Sequence, residues 1–157
     1  MNLILLLMAF CVGMAMSIQA AVNTQLAASI GANSVVAALV SFACGTIVLL
    51  GVAVSRGGLG GVFAALAAQP PWKFAGGFLG AAFVFGTVFL APRIGLLSLI
   101  VLVIAGQLLT SMAIDHFGLI NMAVRKVSSV KMLGACVVAL GVAITLFGDR
   151  IVASMGR

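Results

Sequence analysis

Apolar positions in this chain neither alternate nor fall on one helical face. They run almost unbroken for whole segments and stop at a few clusters of Gly, Pro, polar and charged residues. The first run covers about residues 3–29 and ends at Gly31, Ala32 and Asn33; the second covers about 34–54 and ends at Ser55, Arg56, Gly57 and Gly58. A third run, about 74–90, is closed by Ala91, Pro92 and Arg93, and a fourth, about 94–114, by Asp115, His116, Phe117 and Gly118. After a polar link with Arg125, Lys126, Ser128, Ser129 and Lys131, a fifth covers about 132–147 and leaves a tail with Asp149, Arg150 and Arg157. Crossing a bilayer takes roughly 20 residues of helix, so this pattern predicts five spans in a single membrane domain over 1–157. Residues 59–68 are apolar but too few to cross, and Gln69, Pro70, Pro71, Trp72 and Lys73 follow them. A short helix lying at the interface, anchored by Trp72 and Lys73, is the expectation there.

Composition narrows the class to an all-α integral membrane protein. Apolar residues make up 64% of the 157, charged ones only 6%, and mean hydropathy is +1.38. A soluble domain carries about 25% charged residues, and a disordered chain lacks this much apolar surface. The first residues resemble the apolar core of a signal peptide, with small residues before Ala21. No Lys or Arg precedes them, however, and the apolar run continues to Ile30, so a retained first helix is expected. Cys11, Cys44 and Cys136 lie in apolar runs without metal-ligand or redox spacing and read as small buried packing residues. No cofactor or metal is implied.

The eight basic residues are spread along the chain and form no patch, which argues against nucleic acid as a partner and for interfacial anchors. With five spans, Arg56, Lys73, Arg125, Lys126 and Lys131 share the N-terminal side, and Arg93, Arg150 and Arg157 the other. That small excess favours an inside N-terminus, and near balance is what insertion in both orientations requires.

Small residues recur where helices would approach one another. Ala37, Ser41 and Gly45 follow at four-residue spacing; Gly76 and Gly80 do the same beside Gly77 and Ala81; Gly134, Gly141 and Gly148 recur every seven residues. These are the candidate packing faces, although glycine is also simply frequent in membrane helices.

Two polar stripes stand out in the apolar background. Gln19 and Asn23 share one face of the first span, with Met16 a turn before and Ala27 a turn after. Amides cost free energy against lipid and are useful against a cavity; alternatively they hold neighbouring helices together, each worth about 0.6 kcal/mol. In the fourth span Gln107, Ser111 and Asp115 recur every four residues, with Thr110 alongside and Gly106 just before. Asp115 is the one carboxylate close to a span, and His116 beside it is of the residue type that changes charge near neutral pH. The pair reads either as a proton-coupling site or as the organiser of a helix end. No set of nucleophile, base and orienting acid recurs, so no catalytic residue is assigned and no enzyme is expected. No metal-ligand cluster exists either.

Taken in order, these residues resemble the YdcZ-like family of inner-membrane proteins within the drug/metabolite transporter superfamily. The elements are Gln19, Asn23 and Leu26; Phe42 and Gly45; Gly76, Gly77 and Gly80; Pro92 and Gly95; Gly106 and Gln107; the run Asp115, His116, Phe117, Gly118; and Gly134 with Gly141. The resemblance spans nearly the whole chain. It implies a five-helix unit that is half of a ten-helix inverted-repeat transporter fold, in the bacterial inner membrane. The related four-helix multidrug exporters use a Glu in their first helix; this chain has no Glu, so their cation-for-proton exchange does not carry over.

The resulting expectation is a small secondary transporter, an exporter of a small organic solute, working by alternating access as an antiparallel homodimer among membrane lipid. Gln19, Asn23, Gln107 and Ser111 would line the substrate cavity, with Asp115 and His116 near its mouth. Without a carboxylate near the middle of any span, a neutral or anionic solute fits better than a lipophilic cation. The rival expectations are a non-transporting subunit that assembles with another short relative, and a flippase for a lipid-linked substrate.

Overall fold

Hydrocarbon offers the backbone no hydrogen bonds, so each spanning segment must pair its own N–H and C=O groups, and the helix does this within one segment. In a computed structural model of the chain, which describes residues 2–57 and 60–155, all regular structure among those residues is helical. Five helices there are long and apolar enough to cross a membrane. The chain divides into two compact units, Met1–Arg93 and Ile94–Arg157.

The first unit opens with α1, Leu3–Ser29, capped by the Asn2 side chain, which accepts the Ile4 N–H at 3.1 Å. Gly31 (φ +72°) and Ala32 (φ +60°) reverse the chain, and Asn33 caps α2, Ser34–Ser55, by accepting the Val36 N–H at 3.0 Å. Gly57, also at positive φ, ends it. Of the segment expected to lie at the interface, Leu59 falls outside the described residues, as does Gly58 of the preceding break; Val62–Ala67 form a short helix, α3. Pro71–Phe74 make one 3-10 turn that runs into α4, Ala75–Ile94.

Pro92 does not stop α4 as the sequence suggests; it lies inside the last turn. Proline forfeits the hydrogen bond to the carbonyl four residues back, and so near the end of the helix that one loss is tolerated. Gly95, at φ +81°, makes the break instead.

Ala27, Ala37, Ala38, Val84 and Val88 form the core of this unit, with Leu26 and Phe83 packed against it. A core of methyl groups and short branched chains lets backbones approach, which is how helices gain packing energy when lipid is as apolar as leucine. Phe42 crosses over Gly80, where an added Cβ would stand 3.4 Å from the ring.

The second unit joins α5, Leu96–Phe117, to α6, Ser129–Met155, and the two helices pack together. Gly118 (φ +63°) ends α5, and a short 3-10 turn, Leu119–Asn121, packs back on it with Ile120 and Asn121 both at positive φ. Ser128 then receives the first turn of α6: its hydroxyl accepts the Lys131 N–H at 3.3 Å and its carbonyl the Met132 N–H at 3.0 Å. Beyond Phe147, where the predicted span stops, α6 continues through Gly148, Asp149 and Arg150, because a helix can pass from hydrocarbon into the headgroup region unbroken. Arg157 lies outside the described residues.

One expectation is corrected. Cys11, Cys44 and Cys136 are free but exposed on the helix surfaces, not buried. Apolar neighbours in sequence mark both a core and a lipid-facing side, so the pattern could not separate them. The candidate packing residues also divide. Ala37 is fully buried and Gly80 meets Phe42, whereas Gly45, Gly76, Gly134 and Gly141 have nothing within 4 Å of where a Cβ would stand.

A Cβ on Gly118 would meet Val124 Cγ2 at 2.7 Å in a backbone conformation that side chains resist. Gly118→Ala is therefore expected to destabilise the protein by about 1–3 kcal/mol. Gly134→Ala, with open space around it, is expected to hold or gain stability. Thermal unfolding in detergent reads both, and the reverse order would contradict this account of the turn.

Candidate functional site

The first unit holds a recess of about 180 Å³ walled by α1, α2 and α4. Gln19, Ser41, Phe42, Gly45, Thr46, Leu49 and Val84 line it. Gln19 is exposed, and its amide offers both a donor and an acceptor at the wall; Thr46 adds a hydroxyl and Phe42 an aromatic ring. No charged residue lines the space. Such a lining can offer a small molecule hydrogen bonds, an aromatic surface and shape.

Asn23, one turn along from Gln19, has a different situation. It is only 5% exposed, and its Nδ2 donates to Ser41 Oγ at 3.1 Å, joining α1 to α2. Beside it, the Thr24 hydroxyl donates to the Ala20 carbonyl at 2.7 Å within its own helix. Ser41 thus both receives Asn23 and borders the Gln19 recess. Thr46 was absent from the sequence candidates. Its signal is legible afterwards: it is a hydroxyl in an apolar helix, one turn beyond Phe42 and next to Gly45.

In the second unit Gln107 and Ser111 are exposed along α5, and the Ser111 hydroxyl donates to the Leu108 carbonyl at 2.9 Å. Asp115 and His116 occupy the last turn of α5. The Asp115 backbone carbonyl accepts the Arg125 N–H at 2.7 Å, and His116 Nδ1 accepts the Val127 N–H at 3.3 Å. The His116 ring also meets Phe117 edge-on, with centroids 4.8 Å apart. Together these contacts fold the polar link back onto the helix end. A ring nitrogen that accepts a hydrogen bond carries no proton, so a doubly protonated His116 would lose its bond to Val127.

Long apolar helices define a multi-pass helical membrane protein, and its first unit carries an uncharged recess with hydrogen-bonding groups in its wall. A family model described as "Putative inner membrane exporter, YdcZ" matches residues 4–144, and the chain belongs to that family. It is accordingly a multi-pass inner-membrane protein of an exporter family. No curated protein and no solved structure matches it.

The Asn23–Ser41 bond can be weighed by a double-mutant cycle with Asn23→Ala and Ser41→Ala. The expected coupling is about 0.6 kcal/mol, with about 1.7 kcal/mol as the upper bound for such pairs in membrane proteins; additive single effects would show that the bond contributes nothing. His116→Ala should raise the hydrogen-exchange rate of the Val127 amide, while His116→Asn, whose carbonyl replaces Nδ1 as acceptor, should keep it protected. Equal exchange in both variants would remove His116 from the turn.

Proposed function

We propose that the chain is a small secondary transporter that exports a neutral or anionic organic solute by alternating access, as an antiparallel homodimer. The Gln19 recess carries this reading, because it is an uncharged space with amide and hydroxyl groups inside a chain of an exporter family. Five spans put the two termini on opposite sides of a membrane, so one chain can supply an inverted repeat only by meeting an inverted copy of itself. The near balance of basic residues on the two sides fits insertion in both orientations. Glycines with open space beside them, Gly134 and Gly141 on α6 and Gly76 on α4, supply faces on which the second copy can pack closely.

In this reading Gln19 is the principal substrate group of the first unit. Asn23 supports it by fixing Ser41, and Gln107 and Ser111 are the candidate substrate groups of the second unit. Asp115 and His116 couple protons through the turn they hold: protonation of His116 Nδ1 releases the Val127 N–H and loosens the link to α6.

The Asn23–Ser41 bond supports a second reading, in which the polar stripes are glue and the chain is a non-transporting subunit of a larger assembly. Transport separates the two. Solutes that raise the melting temperature of the purified protein are taken into flux assays in liposomes. Gln19→Ala is expected to lower flux at least ~10-fold, as expected for losing a ligand hydrogen bond together with its positioning, while cross-linked dimer stays at the wild-type level. Normal flux in Gln19→Ala would remove the recess from the pathway. Orientation is read by labelling Asn2→Cys and Ser154→Cys in a background lacking the native cysteines. Each site should react from both sides of the membrane, and a single orientation would overturn the antiparallel homodimer.

A further inference from the structure

At one end of the first unit, where α1 turns into α2 and α4 stops, two recesses meet at Arg93. One, of about 340 Å³, has a mainly apolar wall that includes Ala27, Ala28, Val88 and Pro92. The other, of about 410 Å³, includes Asn33 and Phe89, and both are bordered by Ser34. The Arg93 guanidinium lies over the Phe89 ring, 3.5 Å from its centroid, and Nη1 donates to the Phe89 carbonyl. Those contacts hold the planar group in place and spend one of its five donors. Asn33 Oδ1 accepts the Val36 N–H, and the NH2 group of the same side chain remains as a donor.

The charge of Arg93 has no answer in its own unit. The two carboxylates of the chain are Asp115 and Asp149, and residues 1–93 contain none. An arginine at the end of a membrane helix extends its charge toward the interface, where anionic groups can meet it. A guanidinium with several free N–H groups matches phosphate oxygens in a bidentate fork, and the headgroup region of a membrane presents phosphate.

We propose that Arg93 heads a binding site for a phosphate-bearing amphiphile. The phosphate sits on Arg93 with Asn33 and Ser34, and the apolar part lies along Ala27, Ala28, Val88 and Pro92. This site lies outside the Gln19 recess and does not rest on the transport reading, since its test measures binding alone.

The experiment uses the full chain purified in detergent, with phosphatidic acid as the probe and diacylglycerol of the same acyl chains as the control. Native mass spectrometry and thermal stabilisation report binding. Phosphatidic acid should bind and raise the melting temperature, and diacylglycerol should do neither. Arg93→Gln should weaken binding at least ~10-fold, the loss expected for a charge-assisted hydrogen bond, and Arg93→Lys should weaken it less. Arg56→Gln, which removes another exposed arginine, should leave it unchanged. The Lys variant keeps the proposal testable if the Gln variant fails to fold, because full wild-type affinity in Arg93→Lys would overturn the bidentate site. Competition by inorganic phosphate would assign the site to phosphate-bearing solutes as well as lipids, and its failure to compete would assign the site to lipid; both support the proposal. Wild-type affinity in Arg93→Gln, an equal loss in Arg56→Gln, or equal binding of diacylglycerol would overturn it, leaving Arg93 a solvated interfacial cation.

Discussion

The first unit turns on one side-chain hydrogen bond, from Asn23 Nδ2 to Ser41 Oγ, set beside a core of alanine and valine. Lipid tails give helices no hydrophobic reason to associate, so close packing and interhelical polar contacts must hold them together. Ala27, Ala37 and Ala38 bring the backbones near, and Val84 and Val88 from α4 close the layer. Only at that short separation can the amide of Asn23 reach the hydroxyl of Ser41. The same approach leaves the Gln19 recess beside it, bounded by Phe42 and Gly45 rather than filled by a larger side chain. Packing and recess therefore share a cause: small residues on α2 admit α1 closely at Ala37 and leave space at Gly45.

The helices were legible in the sequence because hydrocarbon imposes a length and an internal pairing requirement that long apolar runs satisfy. Their ends were partly legible. Asn33 and Gly118 act where the pattern puts them, but Pro92 could not be recognised as tolerated, since that depends on whether further turns must follow it. Burial was the least legible property. In a soluble protein an apolar residue marks the core; here Cys11, Cys44 and Cys136 sit in apolar runs and are nevertheless exposed. Residue size separates core from surface only in part: Ala37 is buried and Gly80 meets Phe42, whereas Gly45, Gly76, Gly134 and Gly141 stand open.

The site was legible for a related reason. Polar groups are so few that each one needs an explanation, which is why Gln19, Asn23, Asp115 and His116 could be singled out from one sequence. Their division of labour could not. Gln19 and Asn23 lie on one helical face, yet one borders open space and the other is spent on a neighbouring helix. What decides between them is the residue opposite: Asn23 meets Ser41, whereas Gln19 stands at the wall left open at Gly45. Thr46 escaped notice because a hydroxyl on a helix is usually satisfied by its own backbone, as at Thr24, Thr87 and Ser111.

The distribution of charge follows a similar logic. Both carboxylates lie in the second unit, and the first unit carries only basic charge. The Gln19 recess has no charged residue in its lining, and Arg93, which lies outside it, has no carboxylate within its own unit. In the second unit the backbone carbonyl of Asp115 and the ring of His116 are committed to the turn that leads into α6, and of these two contacts only the one at His116 is made by an ionisable side chain. The polar groups thus differ along the chain, with amides and hydroxyls at the recess of the first unit and a backbone carbonyl and an imidazole at the turn into α6 in the second.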